Sequence, residues 1–352
     1  MAKKLMKGNE AMAEAAIQAG CQAFFGYPIT PQSEIPEYFA RELPKRGGTF
    51  LQAESEMAAM NMVMGASASG ARVMTSTSGP GYCLKLEALA AMALTRLPAV
   101  VTVVMRSGPA FGTMKAAQED YRMTGNGGYK VLTFAPSDVQ EAAEMVFEAF
   151  DIADQYRNPV VVMADGMIGQ MMGTVDFEKM PAKRTNLPAK DWALRGSNSR
   201  GGKNSAILFP VGAAHYQAKH EAETELYPAL IANETQVEVT DVEDADIVLV
   251  AYGTAARMCH AVVEELGDQM KIGIIRPKTL WPFPYQAFEQ IGSRCKALVC
   301  PEINIIGQMI DDVRIASAGR WPVYHVGDTQ NDFLTPENIV EKVAQVWKEV
   351  RA

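Results

Sequence analysis

The sequence predicts an α/β protein in which a doubly wound parallel sheet is followed by a smaller α/β domain. Short apolar runs alternate with helical patterns between residues 9 and 164, and this alternation is typical of βαβ units. The run from Pro98 to Met105 is rich in valine, as expected for a central strand covered on both faces of a parallel sheet. The alternation stops between Gly173 and Asn204 and then resumes, which indicates a second unit.

The composition fits two packed cores. The chain has 352 residues, of which 48% are hydrophobic and 21% are charged, so there is enough apolar mass to argue against disorder. The net charge is -8, and lysine and arginine form no block longer than a pair. These features exclude nucleic acid and anionic membranes as expected partners. No apolar stretch reaches membrane-spanning length, and a cytoplasmic location is expected.

The first domain is predicted to span residues 1–175. Its predicted helices are Asn9–Ala19, Glu34–Leu43, Met57–Ser69, Tyr82–Arg96 and Ser137–Tyr156, and its predicted strands are Ala23–Gly26, Thr49–Gln52, Arg72–Ser76, Pro98–Met105, Lys130–Phe134 and Pro159–Ala164. Residues suited to helix caps precede the helices, and Gly20 and Gly70 end two of them. The aperiodic stretch from Arg106 to Gly128 contains five glycines and is predicted to be a functional loop.

Residues 176–204 are predicted to be a linker, because prolines and a Gly/Ser/Asn-rich stretch replace the βα pattern there. Residues 205–352 are predicted to form the second domain. Its predicted strands are Ala206–Val211, Asp246–Tyr252, Lys271–Ile275 and Ala297–Cys300, and its predicted helices are Tyr216–Ile231, Ala255–Leu266 and Pro336–Val350.

The stretch from Tyr27 to Glu34 is a candidate anion site. Thr30 is predicted to cap the following helix, with Pro31 at its first position. A capped helix start beyond a strand tip presents free N–H groups and the positive end of the helix dipole, which suit a carboxylate or a phosphate. The alternative interpretation is an ordinary strand-to-helix turn.

Two glutamates stand two positions apart at a predicted helix start, so only one can face inward. Helical spacing from Glu56 gives the small and apolar face Ala59, Met60, Val63 and Ser67, which makes Glu56 rather than Glu54 the inward carboxylate. A carboxylate aimed into an apolar pocket suits proton transfer. The alternative is a first-turn glutamate that only complements the helix dipole.

Arg106 follows the predicted central strand and therefore lies at the carboxyl edge of the sheet, where open α/β sheets bind ligands. Its guanidinium suits a carboxylate. Thr30 and the glycine turn Ser78–Gly81 are expected at the same edge. The alternative is an exposed arginine at a strand end.

Several common sites are missing from the sequence. The five cysteines form no Cys-x-x-Cys pair and the histidines lack metal-ligand spacing, so no metal site is predicted. There is no Gly-x-Gly-x-x-Gly or P-loop motif. Asp165-Gly166 lacks the preceding glycine of a magnesium-diphosphate motif and is predicted to be a strand-end turn.

One family matches these motifs in order along nearly the whole chain. The motifs are Tyr27-Pro28-Ile29-Thr30-Pro31, Gln52-Ala53-Glu54-Ser55-Glu56, Ser78-Gly79-Pro80-Gly81, Arg106-Ser107-Gly108-Pro109, Ala251-Tyr252-Gly253-Thr254 and Arg276-Pro277-Lys278-Thr279-Leu280-Trp281-Pro282-Phe283-Pro284. With these motifs the chain resembles the alpha subunit of 2-oxoacid:ferredoxin oxidoreductases, nearest the 2-oxoisovalerate type.

The resemblance implies oxidative decarboxylation of a 2-oxoacid to an acyl-CoA, with thiamine diphosphate and coenzyme A and with electrons passed to ferredoxin. It implies a pyrimidine-type thiamine-diphosphate-binding domain followed by a transketolase C-terminal-like domain. It also implies a beta subunit that carries the diphosphate and Mg²⁺ site, iron-sulfur clusters in partner subunits, and further gamma and ferredoxin-like delta subunits.

By their positions in the motifs, the resemblance gives Glu56 contact with the aminopyrimidine ring and gives Thr30 and Arg106 contact with the 2-oxoacid. The cofactor-binding stretch would include Tyr27, Pro28, Ile29 and Ser78. Phe111 would line the substrate pocket and, with Met114, favour an apolar side chain. Lys115 and Arg122 are the loop cations that a dicarboxylic substrate such as 2-oxoglutarate would need.

Three interpretations stay open at this point. The chain is a subunit of a ferredoxin-linked oxidoreductase for an apolar 2-oxoacid or for 2-oxoglutarate, or the pyrimidine-binding subunit of a lipoamide-dependent 2-oxoacid dehydrogenase, or a non-enzymatic scaffold. The electron acceptor separates the first two, and copurified thiamine diphosphate would argue against the third.

Overall fold

The computed structural model describes residues 3–108, 114–123, 128–196, 210–329 and 333–351. The strands are β1 Lys4–Lys7, β2 Ala23–Gly26, β3 Thr49–Gln52, β4 Val73–Thr77, β5 Val100–Met105, β6 Leu132–Phe134, β7 Val160–Asp165, β8 Met172–Val175, β9 Val237–Thr240, β10 Ile247–Val250, β11 Ile272–Pro277, β12 Thr279–Trp281, β13 Ala297–Glu302 and β14 Val323–Gly327. The α-helices are α1 Gly8–Gln18, α2 Glu34–Glu42, α3 Glu56–Ala68, α4 Gly79–Leu94, α5 Val139–Tyr156, α6 Gly166–Gln170, α7 Ala213–Glu221, α8 Tyr227–Glu234, α9 Gly253–Leu266, α10 Ile310–Ser317 and α11 Pro336–Glu349.

A seven-stranded sheet with the order β12-β6-β7-β5-β4-β2-β3 forms the larger layer. Neighbouring strands in this sheet pair in parallel, except that β12 pairs with β6 in the antiparallel direction. Helices α1, α2 and α5 pack on one face and α3 and α4 on the other. The valine-rich strand β5 lies between β4 and β7, and all six of its residues are buried. The predicted doubly wound fold and the central position of this run are therefore confirmed.

A five-stranded sheet with the order β14-β13-β10-β11-β9 forms the second layer, and only β9 at its edge runs antiparallel. Strand β12 comes from this half of the chain but joins the first sheet beside β6. It has three residues between Pro277 and Pro282, which is too short for an alternating pattern to reveal it. Strands β1 and β8, which pair with each other, were not predicted either.

The predicted helix Tyr216–Ile231 corresponds to α7 and α8, which are joined by a π-helical turn. Leu226, Tyr227 and Leu230 of this segment pack into the core of the first sheet. Of the predicted strand Ala206–Val211, residues 206–209 lie outside the described residues. Within the described chain, no helix combines the length and apolar character needed to cross a bilayer.

Candidate active site

Segments that leave the carboxyl ends of four neighbouring strands meet at one edge of the seven-stranded sheet. They follow β2, β4, β5 and β7 and begin at Tyr27, Ser78, Arg106 and Gly166. Parallel strands end at the same edge, and the crevice outside that edge is the usual ligand site of such sheets. The side chains that line this edge are therefore the first candidates for chemistry.

Glu56 is the first residue of α3, and it faces inward as its spacing predicts. Ser55 caps the helix, with its Oγ accepting a hydrogen bond from the Ala58 N–H at 3.2 Å. Glu56 is 6% exposed, and the buried face continues through Ala59, Met60, Val63 and Ser67. Glu54 is exposed. The predicted orientation of the two glutamates is confirmed.

The glycine turn that starts α4 separates Glu56 from Arg106 and touches both. Gly79 has φ +41°, and a Cβ there would lie 2.9 Å from the Gly108 carbonyl oxygen and 3.2 Å from Arg106 Nε. A Cβ at Gly81 would clash with the Glu56 carboxylate. Side chains are thus excluded at both positions, because Arg106 lies against Gly79 and Glu56 lies against Gly81.

Arg106 and Thr30 are brought together as predicted, but through the main chain of Thr30. Arg106 Nη1 donates a hydrogen bond to the Thr30 carbonyl oxygen at 2.9 Å. Thr30 is exposed and Arg106 is half-buried, so the contact lies at the mouth of the crevice. The prediction that Phe111 lines the pocket falls on a residue outside the described part of the chain.

The prediction that Thr30 caps the next helix is wrong. Helix α2 begins at Glu34, and its N-cap residue Ser33 makes no side-chain cap bond. Contacts from distant parts of the chain hold the preceding residues in a turn: the Pro31 carbonyl accepts from Asn9 Nδ2 at 2.7 Å and from Gln170 Nε2 at 2.6 Å.

The start of α2 is also not an open anion site. The Glu34 carboxylate lies in its first turn and pairs with Lys7 Nζ at 2.8 Å. Hydrogen bonds from Lys7, Asn9 and Gln170 lower the pKa of Glu34 against the opposing effect of burial. A second anion at this helix start would face an ionised carboxylate.

The remaining predicted cofactor residues line the same edge of the sheet. Tyr27 and Ile29 are half-buried and Pro28 is exposed. The stretch is fixed to the sheet by Gln32, whose Nε2 donates to the Tyr27 carbonyl at 3.2 Å and whose Oε1 accepts from Ser76 Oγ at 2.5 Å. These contacts fix the stretch to β4, the strand that leads into the glycine turn.

Buried polar atoms around the glycine turn have no partner among the described residues. They are Thr77 Oγ1, Ser78 Oγ, Arg106 Nε and Asp120 Oδ1. Buried polar groups are nearly always hydrogen-bonded, and each unsatisfied one calls for an explanation. Four such atoms therefore cluster around one glycine turn, beside the buried carboxylate of Glu56.

Asp120 was not identified from the sequence. It is fully buried, and its Oδ2 accepts a hydrogen bond from the Gly79 N–H at 3.2 Å at the start of α4. Burial raises the pKa of Asp120 to about 7, although hydrogen bonds from the backbone N–H groups of Gly79 and Arg106 oppose the rise. Nothing in its surrounding sequence, an aperiodic loop, distinguishes it from an exposed acid. Its carboxyl group therefore changes charge near neutral pH beside the candidate site.

The pKa of Asp120 predicts a pH-dependent stability. Between the ordinary 3.8 and about 7, the folded chain holds a proton that the unfolded chain has released, so stability falls as pH rises through this window. Asp120→Asn removes this cost. We expect its free energy of unfolding to exceed that of the parent by about 2–4 kcal/mol at pH 8 and by much less at pH 4.

Denaturant unfolding at the two pH values measures this difference. Asp268→Asn, at an exposed position, is the control and should change neither value. An equal effect of Asp120→Asn at both pH values would show that the carboxyl does not titrate in this window.

The segment 114–123 also connects the two sheets. The main-chain N–H of Gln118 donates to the Ile303 carbonyl at 2.8 Å, and its side-chain Nε2 donates to the Tyr252 carbonyl at 2.9 Å. Asp165 behaves as the predicted strand-end turn, since it caps α6 and accepts hydrogen bonds from Thr254 at 2.7 and 2.8 Å. Residues of the second half of the chain therefore hold one wall of the crevice in place.

Comparison with known proteins gives matches over most of the chain. A family model described as the thiamine-diphosphate-binding region of pyruvate flavodoxin/ferredoxin oxidoreductase matches residues 14–241. A second model, described as core domain II of pyruvate:ferredoxin oxidoreductase, matches residues 245–339. The chain is 38% identical over 351 residues to the ketoisovalerate oxidoreductase subunit VorB of Methanothermobacter marburgensis, and the aligned region covers 98% of each chain.

Two solved structures resemble the fold. One is the 2-oxoglutarate:ferredoxin oxidoreductase of Magnetococcus marinus with 2-oxoglutarate, coenzyme A and succinyl-CoA bound: its TM-score is 0.86 and its identity 26%, over 98% of this chain and 65% of that chain. The other is a split-gene transketolase in an inactive β4 tetramer, with a TM-score of 0.62, 15% identity, and coverage of 97% and 98% of the two chains. The second likeness concerns the fold alone.

The doubly wound sheet, the buried glutamate at its carboxyl edge and the matching family model define a chain of the thiamine-diphosphate-binding oxidoreductase class. The chain belongs to the 2-oxoacid:ferredoxin oxidoreductase family, as an alpha-type subunit. The resemblance inferred from the motifs is confirmed.

Proposed function

We propose that this chain provides the pyrimidine side of the active site in a CoA-dependent 2-oxoacid:ferredoxin oxidoreductase that acts on a branched, apolar 2-oxoacid such as 2-oxoisovalerate. The observation that carries the proposal is that buried Glu56 and half-buried Arg106 lie against the same glycine turn, at Gly81 and Gly79 respectively. The same pairing makes a non-enzymatic scaffold the weaker interpretation, because burying a carboxylate at a crevice has a cost that function explains.

Glu56 is suited to hold and transfer a proton inside the crevice. Thiamine diphosphate, when bound, supplies a carbon nucleophile for attack on a keto group. The carboxyl of Glu56 would hydrogen-bond the aminopyrimidine ring, with Ser78 and the Tyr27–Ile29 stretch along the same wall. Its position at the first residue of a rigid helix fixes the direction of that hydrogen bond.

Arg106 is suited to hold the carboxylate of the 2-oxoacid. Its Nη1 is oriented by the Thr30 carbonyl, and the side chain is half-buried at the mouth of the crevice. A guanidinium with donors to spare binds a carboxylate by charge-assisted hydrogen bonds. Thr30 lies beside it at the mouth of the crevice, where its hydroxyl would complete the substrate site.

The proposed substrate is apolar because the nearby cations are already paired. Lys115 Nζ lies 3.0 Å from Asp328, and Arg122 lies 3.1 and 3.3 Å from Asp311 and Asp312. A dicarboxylic substrate needs a second free cation. The VorB relative is a ketoisovalerate oxidoreductase subunit, and its similarity to this chain supports the same substrate class.

The rest of the enzyme is assigned to partner chains. A beta subunit would provide the diphosphate and Mg²⁺ site, iron-sulfur clusters would lie in partner subunits, and gamma and ferredoxin-like delta subunits would complete a cytoplasmic complex that reduces ferredoxin. Within this chain, we propose that residues 1–175 form the cofactor domain and residues 205–352 the transketolase C-terminal-like domain, with residues 176–204 between them. Helix α8 and strand β12 of the second domain pack on the first sheet.

A substrate panel on the complex coexpressed with its partner subunits tests the proposal. We expect CoA-dependent reduction of a viologen dye, with kcat/KM for 2-oxoisovalerate at least tenfold above that for 2-oxoglutarate. Omitting CoA should abolish product formation. Transfer to a lipoyl protein in place of the dye would instead support the lipoamide-dependent alternative.

2-Oxoglutarate is the second candidate substrate, because the structural relative from Magnetococcus marinus is an oxidoreductase for that acid. A preference for 2-oxoglutarate would contradict the proposed substrate class but not the assignment of Glu56. It would also mean that Lys115 or Arg122 exchanges its acidic partner for the substrate.

A further inference from the structure

Lys85 is a fully buried lysine in the second turn of α4, directly behind Glu56. Its Nζ donates to two neutral oxygens, Thr75 Oγ1 at 3.1 Å and the Glu56 main-chain carbonyl at 3.3 Å. The Lys85 side chain is among the largest in the chain with no exposed surface. Lysine is almost never buried in this way unless it is paired, so its position needs an explanation.

Glu56 is the acid that compensates this buried charge. Burial lowers the pKa of Lys85 to about 8, and among the described residues the attraction of Glu56 is what raises it. An ammonium and a carboxylate that are both removed from water each become costly when the other is missing. No ion pair joins the two charged groups, and the direct contacts of the ammonium are the Thr75 hydroxyl and the Glu56 carbonyl.

Lys85 also fixes the main chain from which the Glu56 side chain extends. Its hydrogen bond to the Glu56 carbonyl joins the first residue of α3 to α4, and its bond to Thr75 joins both helices to β4. Gly81, one turn earlier on the same helix, lies against the Glu56 carboxylate. One helix thus contacts Glu56 at both its backbone and its carboxylate.

We propose that Lys85 is a positioning residue for Glu56. The buried ammonium of Lys85 holds the start of α3 and balances the charge of the Glu56 carboxylate, which contacts the aminopyrimidine. This inference rests on the proposed function of Glu56. It predicts that Lys85 influences thiamine diphosphate and turnover through Glu56 and leaves the 2-oxoacid site, built on Arg106 across the turn, unaffected.

A double-mutant cycle in the assembled complex tests the inference. Lys85→Met keeps the length of the side chain and removes its charge. We expect it to weaken thiamine diphosphate binding, measured by equilibrium dialysis, about tenfold and to lower kcat at least tenfold, with KM for the 2-oxoacid changed less than twofold. In the Glu56→Gln background, Lys85→Met should raise the thiamine diphosphate dissociation constant at most threefold, because the carboxylate it balances is absent and only the hydrogen bond to the main-chain carbonyl of residue 56 remains to be lost.

Equal losses of thiamine diphosphate affinity in both backgrounds would overturn the inference, since they would show general damage to the fold. No loss in either background would overturn it as well. Lys45→Met, at an exposed surface lysine, is the control. If the Lys85→Met complex does not assemble, Thr75→Val takes its place, because it removes one partner of the ammonium and leaves the charge. Thr75→Val should then weaken thiamine diphosphate binding more in the Glu56 background than in the Glu56→Gln background.

The same cycle separates this inference from the proposed function. If Glu56→Gln alone leaves thiamine diphosphate affinity and turnover at the parent values, the proposed function of Glu56 fails. If Glu56→Gln is damaging but Lys85→Met acts equally in both backgrounds, the proposed function stands and only the role of Lys85 is wrong.

Discussion

Replacing Glu56 with glutamine is expected to reduce kcat of the assembled complex by roughly 100- to 10,000-fold, the range that general acid-base groups contribute. Glutamine fills the same space at the start of α3 but cannot hold and release the proton. Because glutamine keeps the size of the side chain and leaves the Ser55 cap in place, subunit assembly should persist, although loss of the carboxylate that compensates Lys85 should lower the free energy of unfolding. Steady-state turnover with a viologen acceptor, together with gel filtration, measures both effects.

Glu54→Gln is the matched control. The two glutamates are separated by one residue and differ in exposure, since Glu54 faces solvent and Glu56 is 6% exposed. The control should retain full activity. Activity of the Glu56→Gln complex within threefold of the parent would remove Glu56 from proton transfer, and a loss shared by both variants would indicate damage to the helix start.

Replacing Arg106 with alanine is expected to raise KM for the 2-oxoacid by roughly ten- to one-hundredfold, because a hydrogen bond to a charged group contributes about 1.5–3 kcal/mol. The thiamine diphosphate content of the complex should not change, since Arg106 lies across the glycine turn from Glu56. Steady-state kinetics and extraction of the bound cofactor measure the two quantities.

Arg314→Ala provides the control for Arg106. Arg314 is an exposed arginine on α10 that pairs with Asp311, and its loss should change neither quantity. The opposite pattern for Arg106→Ala, with cofactor lost and KM unchanged, would place Arg106 in the cofactor site and leave the substrate carboxylate without an assigned partner.

The parts of the site that depend on local periodicity were predictable from the sequence. The inward face of α3 follows from helical spacing, so the orientation of Glu56 could be predicted without knowing its surroundings. The meeting of Arg106 with the Thr30 stretch follows from a general property of parallel sheets, whose strand ends share one edge.

The parts that depend on distant contacts were not predictable. Thr30 has the sequence context of a helix cap, but Asn9 and Gln170 bind the Pro31 carbonyl and delay the helix. Asp120 lies in an aperiodic loop, and its partner, the Gly79 N–H, lies 41 residues earlier in the chain. Lys85 lies on the buried face of α4 with Tyr82 and Leu89, but helical spacing does not reveal its partners, the Thr75 hydroxyl and the Glu56 carbonyl.

The central claim is that the Glu56 carboxyl contacts the aminopyrimidine ring in a crevice that a partner subunit completes. A structure of the assembled complex with thiamine diphosphate bound tests it most directly. We expect a Glu56 carboxylate oxygen at about 2.6–3.2 Å from a pyrimidine ring nitrogen, which is hydrogen-bond distance, with the diphosphate held by the partner. A pyrimidine ring bound away from Glu56, with the carboxylate contacting only residues of its own chain, would contradict the claim.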